Sequence, residues 1–169
     1  MSDSANPATE PPEEPLPERV FLIVVDESEE MQNALRFACR RAEHTSGRVA
    51  LLNVVEPVEF QHWLGVGRVM EQEARANAEL RMQTLASEVF EQTGKMPAVH
   101  IREGHKGEEL VKLLTEDPTI SLLVLATASN SNTPGPLVNY LMSNIGRHVR
   151  IPVTLVPGEL SIDEIDALT

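Results

Sequence analysis

Two stretches of this sequence place polar residues directly after apolar runs, which is where ligand sites form in α/β proteins. Asp26 follows an apolar run at residues 20–25, and a loop of small and polar residues at 128–135 follows a run at 122–126. If both runs are parallel strands, their carboxyl ends share one edge of a sheet, where ligands bind. The loop leads into a helical pattern from Pro136, and the free N–H groups of a helix N-terminus suit phosphate. The sequence therefore predicts a ligand cleft at these strand ends.

The other side chains capable of chemistry form no convincing catalytic group. Ser28 and Ser129 have no identifiable base partner, and the chain lacks both a phosphate loop ending in Gly-Lys-Ser/Thr and a G-x-S-x-G turn. Cys39 lies on an apolar helical stripe and is interpreted as a small core residue. Spacing typical of metal ligands is absent among the histidines, which are His44, His62, His100, His105 and His148. We therefore predict no catalytic residue and no metal site, and we interpret His105, which follows a strand end, as solvated rather than facing the cleft.

The composition is that of one ordinary domain with acidic ends. Of 169 residues, 41% are apolar and only 4% aromatic, so aliphatic side chains must fill the core. Residues 1–18 carry five carboxylates and residues 159–169 carry four, with no base in either range. These ends hold most of the net charge of -12 and leave about -3 on the middle of the chain. Because no basic stripe is available to displace phosphate counterions, we expect no nucleic acid partner.

The sequence also bears on the compartment. A single cysteine allows no intramolecular disulfide, which favours a reducing environment. No run approaches the roughly 20 apolar residues that a membrane span needs, and the N-terminus lacks the basic and apolar regions of a signal peptide. We therefore expect a cytoplasmic protein with no membrane partner.

Apolar runs alternate with helical patterns along most of the chain. Strands are predicted at residues 20–25, 49–55, 98–102, 122–126 and 153–156, with helical stripes between them. This alternation predicts the α/β class, with a five-stranded parallel sheet and helices on both faces. Ser28 is predicted to cap the first helix, and Gly47 to end it in a left-handed conformation. Residues 58–67 are interpreted as a loop folded over the sheet edge, with a lid or a partner contact as the alternative.

Both ends of the chain differ from the predicted domain at residues 19–158. Residues 1–18 contain five prolines and few apolar residues, so they are interpreted as a flexible acidic tail. Residues 159–169 form a second acidic tail. Within it, residues 161–168 are expected to form a frayed helical turn whose low apolar content leaves its docking undecided.

Several segments resemble the universal stress protein family across about residues 19–158. VVDESEE resembles the family's VDGSE opening, LLNVVEP its LLHVVEP strand, REGHKGEELVKLL its third-helix region, and IPVTLVP its closing PVLVV strand. The resemblance implies a sheet in the order 3-2-1-4-5, as in adenine nucleotide alpha hydrolase-like folds. It also implies a two-fold homodimer formed through the fifth strand, an apolar edge that invites pairing with a second chain. The implied dimer edge comprises Val153, Thr154, Leu155 and Val156.

The same resemblance identifies a candidate nucleotide site. Asp26 matches the family's acid at the ribose, and Val54 matches the residue whose backbone meets adenine. Many relatives bind ATP through G-x2-G-x9-G-S/T, yet the equivalent positions here are Ala126, Ser129, Asn139 and Tyr140, followed by Leu141. Every glycine is replaced, so the close backbone approach that glycine permits is lost.

Three hypotheses follow. The favoured one is a non-enzymatic stress-response protein of the universal stress class, a homodimer that acts through a regulatory protein partner, without tight ATP binding and so without a cofactor. The second is an ATP-binding sensor with slow or no hydrolysis, using side-chain donors at residues 129–132 in place of glycine amides. The third is a small enzyme on a related nucleotide-binding fold, for which no acid, base or nucleophile is identified.

Overall fold

A computed structural model describes residues 17–57, 64–128, 135–144 and 147–169, with the backbone alone at 64–66. Five parallel strands form one sheet in the order β3-β2-β1-β4-β5. The strands are β1 (Val20–Val24), β2 (Arg48–Val55), β3 (Ala98–Glu103), β4 (Ile120–Thr127) and β5 (Val153–Pro157). The helices are α1 (Met31–His44), α2 (Leu64–Thr93), α3 (Lys106–Glu116), α4 (Pro136–Asn144) and α5 (Ile162–Leu168). Both the predicted fold class and the predicted strand order are confirmed.

The sheet is covered on both faces because its central strands carry apolar side chains in both directions. Every residue of β1 is buried, as expected for a strand between two helical layers. Phe21 and Ile23 pack with α1 and α2 on one face, and Leu22 and Val24 pack with α3 and α4 on the other. We call these the α1/α2 face and the α3/α4 face. None of the described helices is both long and apolar enough to cross a bilayer.

The ends of α1 differ from the prediction. The residue preceding the helix is Glu30, which makes no capping hydrogen bond through its side chain, whereas Ser28 bonds to Asp26 instead. The left-handed residue after the helix is Ser46, with φ 53°. Gly47 is required for a different reason, since a Cβ there would lie 2.6 Å from the carbonyl oxygen of Arg19. Close packing against the start of β1, rather than a special φ, therefore explains this glycine.

Helix α2 begins earlier than the sequence indicates. Residues 64–67 were predicted as part of a loop but belong to its first turn, while 58–63 lie outside the described residues. Its last turns carry the buried side chains Met82, Leu85 and Val89, whereas Val69 and Met70 are exposed. Residues 68–73 are exposed, so the buried stripe of this helix does not reach them, although the prediction had placed Met70 on it.

Cys39, on the neighbouring α1, is fully buried, and burial raises the pKa of its thiol to about 12.

The C-terminal segment is folded and docked on α1. Ser161 begins α5 with a capping box, in which its hydroxyl accepts from the Glu164 backbone N–H and the Glu164 carboxylate accepts from the Ser161 N–H. Ile165 is fully buried, and Asp166 receives two hydrogen bonds from Arg36, at 2.9 and 2.6 Å. The buried side chain of Ile165 and these ion pairs hold α5 against α1. The low apolar content of the segment had left this docking undecided.

Candidate functional site

A cavity of about 640 Å³ opens at the carboxyl ends of β1 and β4. Asp26 and Ala126 line it from the strand ends, and the first turns of α3 and α4 form its other walls. In the observed order β1 is flanked by β2 and β4, so the winding reverses at this point and the helices diverge. The size lies within the range of about 300–1,000 Å³ typical of small-molecule sites. We call this space the main cavity.

Asp26 is fixed by a turn immediately after β1. One carboxylate oxygen, Oδ1, accepts from the backbone N–H of Ser28 at 2.9 Å and from the Ser28 hydroxyl at 2.5 Å. This local hydrogen bonding of an aspartate to the residue two positions on is an Asx-turn. The second carboxylate oxygen can accept hydrogen bonds from a ligand.

The first turn of α3 is held against the strand ends by two hydrogen bonds. The N–H of Gly104, whose φ of 143° suits glycine, donates to the carbonyl of Val55 at 3.1 Å. The N–H of Lys106 donates to the Glu56 carboxylate at 3.2 Å. These contacts bring His105, Lys106 and Gly107 to the cavity wall. His105 is exposed yet lines the cavity, so the interpretation that it is merely solvated was incomplete.

Tyr140 of α4 lies directly on Gly107 of α3. A Cβ added at Gly107 would come within 2.7 Å of three ring atoms of Tyr140, closer than van der Waals contact permits. The glycine therefore allows the ring to approach, and the ring fills the gap between α3 and α4. Both residues line the main cavity, so Tyr140 narrows it on this side.

The walls carry more negative than positive charge. Carboxylates of Asp26, Glu56 and Glu108 line the main cavity, against one ammonium group, that of Lys106. Such an excess lowers the local concentration of anions and favours uncharged or cationic ligands.

In the part of the chain that the structure describes, no three His, Cys, Asp or Glu side chains are arranged to hold a metal ion.

The remaining residues of the predicted site lie in different surroundings. Val54 is buried in β2 and lines a second, adjoining cavity rather than the main one. Leu141 is buried in the core of the α3/α4 face. The backbone N–H of Asn139 donates to the Gly135 carbonyl at 3.0 Å, within the first turn of α4. Ser129 lies outside the described residues.

The structure brings to the site several residues that sequence reasoning missed. Glu56 follows β2, and Lys106, Gly107 and Glu108 form the start of α3; the glycine motif includes none of them. A signal was present, because Glu56 follows a buried strand and the Gly104 turn follows another. Both strands end at the edge where Asp26 lies.

The predicted dimer edge is partly exposed. Leu155 is 44% exposed on β5, while Val153 and Thr154 are half-buried. Val156 is 1% exposed and packs in the core of the α1/α2 face. As an outermost strand of the described sheet, β5 pairs with β4 alone.

Comparisons with known proteins agree with this architecture. A sequence profile of the universal stress protein family matches residues 18–157. Universal stress protein UspA from Lactobacillus plantarum is 21% identical, with a TM-score of 0.69, covering 82% of this chain and 97% of that one. A family member from Burkholderia pseudomallei is 19% identical, with a TM-score of 0.64 and coverage of 82% and 95%.

A third solved structure contains a nucleotide. The universal stress protein from Archaeoglobus fulgidus, in complex with dAMP, is 14% identical, with a TM-score of 0.61, covering 83% of this chain and 99% of that one. No curated protein sequence matches this chain. The structural likenesses support the fold, and the profile, which spans most of the chain, supports the family. This chain belongs to the universal stress protein family.

Proposed function

We propose that this chain is a non-enzymatic, cytoplasmic regulatory protein of the stress response, which acts through protein contacts and binds ATP weakly or not at all. The observation that carries the proposal is the main cavity itself, where carboxylates outnumber cations and Tyr140 fills the gap beside Gly107. The family relationship supports the stress-response class.

Charge is the first argument against tight ATP binding. Two unit charges 4 Å apart interact by about 1 kcal/mol in water and about 4 kcal/mol near a protein surface. A triphosphate in the main cavity would face Asp26, Glu56 and Glu108 with a single lysine to offset them. The repulsion therefore exceeds what Lys106 alone can compensate.

Backbone geometry is the second argument. Glycines permit a phosphate to approach backbone N–H groups closely. Ala126 instead presents a Cβ at the end of β4, where it lines the main cavity. Pro136, at the start of α4, has no N–H to donate.

The alternative is a nucleotide-binding sensor. It is favoured by the volume of the main cavity and by the dAMP complex of the Archaeoglobus fulgidus relative. Binding of the phosphates would use side-chain donors from residues 129–132, which lie outside the described part of the chain. The two proposals therefore differ in whether a phosphorylated nucleotide is held.

Isothermal titration with ATP and Mg²⁺ separates these functions. We expect no binding at micromolar affinity, because three carboxylates line the cavity against the one ammonium group of Lys106. Mass measurement on small molecules extracted from protein purified without added ligand should likewise show no bound ATP. Micromolar affinity, or stoichiometric ATP in the extract, would overturn the proposal in favour of the sensor.

We also propose that the protein forms a homodimer through β5. Leu155 is an exposed apolar residue on an outer strand, and unprotected strand edges pair readily with a second copy. Leu155→Lys should give a monomer, measured by light scattering, because the new charge would be buried between the two copies. Leu80→Lys is the matched control, since Leu80 is exposed on α2, away from β5. An unchanged mass for Leu155→Lys would refute this interface.

A further inference from the structure

The two ends of β5 carry opposite charges. Arg147 and Arg150 precede the strand, whereas Glu159 and Asp163 follow it, and all four residues are exposed. None of the four forms an ion pair with another residue in the described part of the chain. This outer strand is therefore basic where it starts and acidic where it ends. We call the two arginines the basic end, and Glu159 with Asp163 the acidic end.

The backbone at both ends is anchored to the core. Val149, between the two arginines, is 4% exposed and packs in the core of the α3/α4 face. After the strand, the Asn33 carboxamide donates to the carbonyls of Gly158 and Leu160 at 2.9 and 3.0 Å. Glu159 lies between these two bonded residues. The charged residues therefore have defined backbone positions beside β5.

Helix α5 continues from the acidic end and leaves apolar surface uncovered. It lies beyond residue 157, where the match to the family profile ends. Helix α1 contacts both β5 and α5, with Arg36 and Arg41 bonded to Asp166 and Thr169. Ile162 and Leu168 stand one turn to either side of the buried Ile165, and they are 59% and 62% exposed. Helix α1 thus covers only the middle of the apolar stripe on α5.

We propose that a second copy of this chain occupies this surface, with the acidic end and α5 of each copy docked on the basic end of the other. The inference rests on the proposed homodimer through β5 and adds what fixes its direction. Antiparallel pairing places the start of one strand beside the end of the other, so opposite charges meet at both ends of the joint. Parallel pairing would place like charges together.

The symmetry of an antiparallel pair also brings the two α5 helices to one side. The two-fold axis through such a pair is perpendicular to the sheet, so the α1/α2 faces of both copies point the same way. Pairing centred on Leu155 sets residue 151 of one copy opposite residue 159 of the other, which brings Arg150 beside Glu159. Ile162 then lies next to the joint between the two sheets, where the second copy can cover it.

Sedimentation equilibrium of the full chain at low salt tests the charge pairing through the dimer Kd. Arg150→Glu should raise Kd about tenfold or more, because attraction becomes repulsion and the contact occurs twice in a two-fold interface. Adding Glu159→Arg to that variant should return Kd close to the wild-type value. The effect of Arg150→Glu should shrink in about 1 M salt, which screens exposed charges.

Arg68→Glu is the matched control for this experiment. It makes the same charge change at an exposed residue of α2, which packs on β2 and β3 rather than on β5. Because Arg68 is remote from the proposed joint, its replacement should leave the dimer Kd unchanged.

The contribution of α5 is tested with Ile162→Ser. This variant should raise the dimer Kd about fivefold, since an apolar side chain is no longer buried between the copies. In a Leu155→Lys background, which is expected to be monomeric, the same change should leave the melting temperature unaltered because Ile162 is exposed within one copy. A lower melting temperature there would show that Ile162 acts within its own chain, against the proposal.

The outcomes separate this inference from the proposed homodimer. If wild type is a monomer at every concentration, both fail, while the proposal of weak ATP binding is unaffected. If Leu155→Lys gives a monomer but Arg150→Glu keeps the wild-type Kd, the dimer through β5 stands and the inference fails. If Glu159→Arg does not restore the dimer of Arg150→Glu, the two ends do not meet across the axis, and the inference is overturned.

Discussion

Single residues line the cleft, and the sequence identified some of them before the structure was known. Asp26 was predicted because it follows a buried apolar run, and Ala126 because it occupies a position of the family's glycine motif; both line the main cavity. Tyr140 was predicted from a motif position, but its contact with Gly107 joins two helices that are distant in sequence. Asn53, which lines the cavity adjoining the main one, was missed because it interrupts an otherwise apolar strand and gives no periodic signal.

The contact between Gly107 and Tyr140 predicts that the effect of Gly107→Ala on the free energy of unfolding changes sign when the Tyr140 ring is removed. Gly107→Ala should destabilise the protein by about 1–3 kcal/mol, because the new Cβ overlaps the ring. In a Tyr140→Ala background the same substitution should stabilise it by about 0.5–1 kcal/mol, since alanine favours helix. Urea unfolding of the four proteins measures both effects. Equal effects of Gly107→Ala in the two backgrounds would contradict the contact.

At the scale of elements, short continuous apolar runs were the reliable guide. Strands with apolar side chains on both sides were located well, because a short run rich in β-branched residues and bounded by turn residues fits a strand better than a buried helix. Helix α2 was located less well, since residues 68–73 near its start are exposed and bury no apolar stripe. The docking of helix α5 was left undecided because it depends on one isoleucine and on arginines of α1. Local composition cannot reveal such contacts.

The ion pairs of α5 predict a pH dependence. The guanidinium of Arg36, with a smaller contribution from Arg40, lowers the pKa of Asp166. Because the folded-state pKa is depressed, the pair stabilises docking above the unfolded pKa of about 3.9, and this contribution is lost as the pH falls through the folded value. NMR titration should therefore give a higher pKa for Asp166 in Arg36→Met than in wild type.

Arg41→Met is the control for this titration. Arg41 lies on the same helix and donates to the backbone oxygen of Thr169 at 3.2 Å, without bonding to Asp166. Its replacement should leave the Asp166 pKa close to the wild-type value. An unchanged pKa in Arg36→Met would show that Arg36 does not hold this carboxylate.

At the scale of the whole molecule, alternation predicted the parallel sheet and family resemblance predicted its strand order, and both are confirmed. The positions of cavities could not be predicted in the same way. They arise where helices from opposite faces diverge from the sheet, as at the ends of β1 and β4, and so depend on packing across the entire fold. The carboxylates that line them follow β1 and β2 or lie on α3.

The central place of β1 has a consequence for how the protein opens. Its residues pair with β2 on one side and β4 on the other, and they contribute to both buried layers. Separation of β1 from its neighbours therefore disrupts the packing of both buried layers at once. By contrast, β3 or β5 can detach while the other strands stay together. In deuterium exchange, the amides of β1 should be the last to take up label, at a rate set by global unfolding. Earlier labelling of β1 than of β3 or β5 would mean that the two layers come apart independently, as separate cooperative units.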